Sequence, residues 1–92
     1  MKLLNDISFV KRAKNRLKVF KEIEGTLMPS ELVIKIYGKN SNTYFNIVSR
    51  ALSELAGKNL VKVLNPKIKT GRFYTLTKKG KIILEKLNEL KS

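Results

Sequence analysis

The stretch from residue 41 to 57 constrains the fold of this chain more than any other. Ser41 is a strong helix N-cap, and Gly57 interrupts the helical pattern that follows it. At about 100° per residue, Phe45, Ala51, Leu52 and Leu55 gather around Val48 on one side. Asn46 and Arg50 point the opposite way, flanked by Asn42, Thr43, Ser49 and Ser53. A helix over 41–56 therefore has an apolar back, which must be covered, and a front of small polar side chains. A front of that kind suits the major groove of a duplex.

The flanking segments supply the cover. Val10, Ala13, Leu17 and Phe20 recur at helical spacing and predict a first helix over 7–24, capped by Asp6 and ended by Gly25. Its other face is basic, with Lys11, Arg12, Lys14, Lys18 and Lys21. A second helix over 29–37 begins at Pro29, carries Glu31 in its first turn and buries Leu32 and Ile36 before Gly38. A hairpin over 60–76 follows the third helix. Its strands are residues 60–64 and 72–76, joined by a turn-rich loop from Asn65 to Gly71, and Tyr74 and Leu76 face the core. Thr77 caps a last helix over 78–91, with Ile83, Leu84, Leu87 and Leu90 on one side.

The resulting class is mainly α with a small β-hairpin, in the order α-α-α-β-β-α, with a short extra strand near 26–28. At 92 residues, 1–92 reads as one domain with one core.

Charge narrows the partner. Twenty Lys and Arg against seven Asp and Glu give a formal +13, which opposes compaction and fits a polyanion. The distribution is uneven. No acidic residue lies between Glu54 and Glu85, whereas Lys58, Lys62, Lys67, Lys69, Arg72, Lys78, Lys79 and Lys81 do. That run is either a solvated surface or a phosphate-binding one, and its coincidence with a hairpin loop favours the second reading.

With no Cys and no His, a disulfide scaffold, a Cys/His zinc site and histidine base catalysis are excluded. The carboxylates are scattered and no Walker loop occurs, so no enzyme and no cofactor are expected. No apolar run reaches the length of a membrane span, and residues 1–10 lack a cleavage-site pattern. A cytoplasmic protein is expected.

From about Phe9 to Gly80 the chain resembles archaeal winged helix-turn-helix transcriptional regulators of the MarR/ArsR-like group. Four stretches carry the likeness: residues 11–20 for the opening helix, 29–32 for the start of the second, 48–55 for the recognition helix, and 60–80 for the wing and closing helix. The chain departs from the group at Met28, where Thr or Ser is common, and at Ile47, often polar there. The ligands for ArsR-like metal sensing are missing. The resemblance implies sequence-directed binding of double-stranded DNA, with Ser49 and Arg50 on the groove side.

Contact roles follow as expectations. Arg50 would pair with a guanine edge, or only with Glu54 four residues on. Asn46 would pair with adenine, or be merely solvated. Asn42, Thr43 and Ser49 would touch bases or phosphates. Lys67, Lys69 and Arg72 would follow phosphates or enter the minor groove, and Lys11, Arg12, Asn15 and Arg16 would add backbone contacts. Tyr44 and Tyr74 read as packing residues. Leu3, Leu4, Ile7, Val19 and Ile82 are left over from a monomer core and suggest a homodimer through the terminal helices. The competing readings are a non-specific architectural DNA or chromatin protein, and a winged-helix module for protein interaction or RNA binding.

Overall fold

A computed structural model describes residues 2–90, and the side chains of 4–89. Within them are five helices and one hairpin: α1 (Lys2–Lys11), α2 (Lys14–Glu22), α3 (Pro29–Tyr37), α4 (Asn42–Gly57), β1 (Val61–Val63), β2 (Tyr74–Leu76) and α5 (Lys78–Leu90). The expected end of the last helix at Lys91 lies outside the described residues. No helix among those described is long and apolar enough to cross a membrane.

The first expected helix is two. Ala13 is extended (φ −122°, ψ 119°) and separates α1 from α2. The core explains the break. On one continuous helix, Val10 and Val19 would lie on opposite sides, at about 100° per residue. Both are fully buried, together with Phe20 and Ile23. Breaking the rod lets each half turn its own apolar stripe inward. Two further expectations change with it. Asp6 is not an N-cap but a buried residue inside α1, in contact with Lys79 Nζ at 2.9 Å. Gly25 does not end the helix, because α2 stops at Glu22 and Ile23 is its C-cap. Lys35 Nζ reaches the Glu22 carbonyl at 2.9 Å, a cation on the terminal carbonyls of α2.

The second expected helix, α3 in the structure, starts and stops where the sequence indicates. Pro29 stands in its first turn and Gly38 ends it at φ 79°, in the left-handed region. Met28 offers no hydroxyl, but the Glu31 carboxylate accepts the Met28 N–H at 2.7 Å, so one orphan donor is met. Leu32 and Val33 are buried, whereas Ile36 is half-buried.

Ser41 caps α4, its hydroxyl accepting the Tyr44 N–H at 3.2 Å. Val48, Ala51, Leu52 and Leu55 are buried as expected. Phe45 is not: it is 39% exposed. Tyr44 takes its place at the edge of the core, stacked on Tyr37 with centroids 4.2 Å apart. The neighbouring α3 supplies that platform, so the buried stripe begins one residue earlier than the helical wheel suggests.

The hairpin pairs Val61 with Leu76, Lys62 with Thr75 and Val63 with Tyr74, antiparallel. Leu27 adds a bridge on the other edge of β2. Its N–H donates to the Tyr74 carbonyl at 2.9 Å and its carbonyl accepts from Tyr74 at 2.8 Å. The extra strand near 26–28 is thus present as a single bridge, and it ties the segment before α3 to the hairpin. Thr77 caps α5 through its hydroxyl, which accepts the Gly80 N–H at 2.9 Å. Ile83 and Leu87 are buried and Leu84 is partly so, while the Leu90 side chain lies outside the described residues.

Candidate nucleic-acid interface

The front of α4 is open. With its back fixed by Val48, Ala51, Leu52 and Leu55, the helix presents Asn42, Thr43, Asn46, Arg50 and Ser53 as exposed residues, and Ser49 as half-buried. Among the described residues the Arg50 guanidinium has no hydrogen-bond or ion-pair partner, and Glu54 is engaged elsewhere. The expected alternative, a pair between Arg50 and Glu54, is therefore replaced by another.

That other partner is Arg16. Its Nη1 meets Glu54 Oε1 at 3.0 Å, and its Nε donates to the Phe9 carbonyl at 2.8 Å, joined there by Nη2. The guanidinium also lies over the Phe9 ring, 3.7 Å from its centroid. In an unbroken helix the Phe9 carbonyl would accept from the Ala13 N–H; here the Arg16 guanidinium substitutes for it. Only 11% of the Arg16 side chain is exposed. Expected among the phosphate contacts, Arg16 is the clamp that joins α1, α2 and α4, because its planar fork makes three hydrogen bonds to two acceptors, the Phe9 carbonyl and Glu54 Oε1. Arg12, at the end of the α1 turn, is exposed, as are Lys11, Lys14 and Asn15.

The clamp has a consequence for shape. It holds the α1–α2 corner beside the front of α4 and leaves a cleft of about 690 Å³ between them, lined among others by Asn15, Thr43, Asn46, Ile47 and Arg50. Ile47, an apolar residue on a mostly polar front, forms part of this floor.

The loop between β1 and β2 is ordered by two side chains. Asn65 Oδ1 accepts the Phe73 N–H at 2.9 Å, and its Nδ2 donates to the Gly71 carbonyl at 3.2 Å. Arg72 Nε donates to the Ile68 carbonyl at 2.7 Å. Arg72, an expected phosphate contact, is half-buried and its guanidinium braces the loop; Lys67 and Lys69 are exposed at the tip. The Asn65-Pro66 pair marks the turn in the sequence, but the organising role of the Asn65 side chain depends on Gly71 and Phe73, which the fold brings to it.

The acids are mostly committed to the scaffold. Asp6 contacts Lys79, Glu22 and Glu24 contact Lys35, Glu54 contacts Arg16 and Glu89 contacts Lys86. Little negative charge remains to screen the exposed lysines, so the surface carries most of the formal excess.

Of the residues expected at a dimer contact, Val19 is fully buried and Ile7 is 8% exposed. Both belong to the core, brought there by the break at Ala13. Leu4 and Ile82 are 63% and 47% exposed. The Leu3 side chain lies outside the described residues.

The chain matches no family model, no curated protein and no solved structure.

Proposed function

We propose that this chain is a winged helix-turn-helix protein that binds double-stranded DNA in a sequence-directed way and acts as a transcriptional regulator. The observation that carries this reading is the exposed front of α4, where Asn42, Thr43, Asn46 and Arg50 reach solvent from a helix whose back is anchored. Arg50 would pair with a guanine edge and Asn46 with adenine. Ser49, half-buried, would reach a phosphate or a base from the edge of that front. Lys67 and Lys69 on the hairpin loop, the proposed wing, would neutralise phosphates, with Arg12 adding backbone contacts from the α1–α2 corner. Arg16 and Arg72 support the reading indirectly, by holding that corner and that loop. It is a binding protein rather than an enzyme in this reading, needs no cofactor, works in the cytoplasm and pairs as a homodimer through Leu4 and Ile82.

A second reading is supported by the formal +13 alone: an architectural protein that binds any duplex. Selection from random duplex pools at several salt concentrations separates the two. Enrichment of a short, partly palindromic site is expected. Uniform binding with a steep salt dependence would favour the architectural protein, and no duplex binding at low salt would leave only an interaction or RNA-binding module.

A further inference from the structure

Resting on that DNA-binding reading, we propose that Ile68 is an apolar wedge: it enters the minor groove, parts a base step and bends the duplex.

The tip of the hairpin loop is built in an unusual way. Ile68 is 48% exposed, yet its backbone is held from both sides. Its N–H donates to the Asn65 carbonyl at 3.1 Å, closing a turn over Pro66 and Lys67. Its carbonyl accepts Arg72 Nε at 2.7 Å. Asn65 in turn ties the far side of the loop through Gly71 and Phe73. A backbone turn and the Arg72 side chain thus hold the Ile68 backbone directly, and the Asn65 side chain braces the loop that carries it. Ile has a stiff χ1 besides, so little conformational entropy remains to be lost when it is inserted.

The surroundings select the occupant. Exposed Lys67 and Lys69 flank Ile68 directly, and no acidic side chain lies between Glu54 and Glu85. An apolar protein partner would have to cover two ammonium groups, whereas a minor groove supplies phosphates for both lysines and base faces for the isoleucine between them. Leu64 and Phe73, paired across the hairpin with N–H to carbonyl at 2.9 Å, are also exposed and lie behind the tip. Cross-strand partners share a face, so they would meet the sugar walls once Ile68 has entered. Wedges of this kind unstack one step and repay the cost with the contacts that the bend permits.

The test uses the whole chain and a short duplex with 2-aminopurine beside a flexible TA step and a fluorophore at each end. Binding should raise the 2-aminopurine emission and shorten the end-to-end distance. Ile68→Ala should abolish both signals while lowering affinity by less than about tenfold, since lysine–phosphate contacts supply most of the binding. Ile68→Leu should retain them. Unchanged emission and distance on wild-type binding would overturn the wedge and leave the DNA-binding reading intact. Equal signals from Ile68→Ala would do the same. Dissociation of a dimer by Ile68→Ala without DNA would make the tip a self-association surface instead. Failure of the wild type to bind any duplex at low salt would overturn both ideas.

Discussion

Arg16 and Glu54, 38 residues apart in sequence, meet at 3.0 Å across the junction of α2 and α4. The guanidinium that makes this pair also caps α1 at Phe9 and covers the Phe9 ring. One side chain therefore stabilises a helix end, an aromatic contact and the placement of the proposed DNA-reading helix.

The two partners are unequal. Arg16→Ala removes every one of those contacts from a largely buried position and should cost about 1–3 kcal/mol in urea unfolding. Glu54 is far more exposed, and Glu54→Ala should cost less than about 1 kcal/mol. Arg16→Lys cannot reproduce the fork and should recover only part of the loss. Equal costs for Arg16→Ala and Glu54→Ala would show that the ion pair, not the helix cap, carries the effect.

Gly80 should tolerate no side chain. A Cβ there would sit 2.0 Å from the Leu60 carbonyl oxygen, which is backbone and cannot swing aside. In most helices, Gly to Ala gains about 1 kcal/mol. Here Gly80→Ala should lose about 2–4 kcal/mol, because α5 must be pushed off the segment before β1. Gly57 is the control: an added Cβ there would meet no neighbouring segment within 4 Å among the described residues, and Gly57→Ala should leave thermal stability unchanged or slightly raised. A neutral Gly80→Ala would contradict the close approach of α5 to Leu60.

Base reading and phosphate binding should separate. Arg50→Ala should cost about 1–3 kcal/mol on the selected site and relax the preference at one base pair. Lys69→Ala should weaken all duplexes alike and reduce the slope of log K against log salt by about 1. Titrations of both variants on selected and scrambled duplexes check this; matching profiles would remove the assigned division of labour.

Core and dimer surfaces should separate as well. Val19 is wholly buried, so Val19→Ala should lower stability by roughly 2 kcal/mol and leave the association state alone. Ile82 is exposed on α5, so Ile82→Glu should spare stability and dissociate a homodimer in sedimentation. A wild-type monomer at high concentration, with and without DNA, would remove the dimer from the proposal.

Local chemistry carried a good share of this molecule in its sequence. Pro29 and Gly38 bound α3, Ser41 caps α4, Thr77 caps α5, and the 3.6-residue period selects the buried back of α4. Each of these depends on neighbours within a turn or two, so the order of residues is enough to specify them. The kink at Ala13 is different. The period of residues 7–24 is satisfied by one straight helix, and only a core that must swallow both Val10 and Val19 requires two. The roles of Arg16 and Arg72 likewise depend on acceptors that the fold brings to them, the Phe9 carbonyl and Glu54 for one, the Ile68 carbonyl for the other. A basic residue in sequence is a free cation by default; whether it faces solvent or closes a joint is decided by which orphan carbonyls and carboxylates the packed chain leaves within its reach.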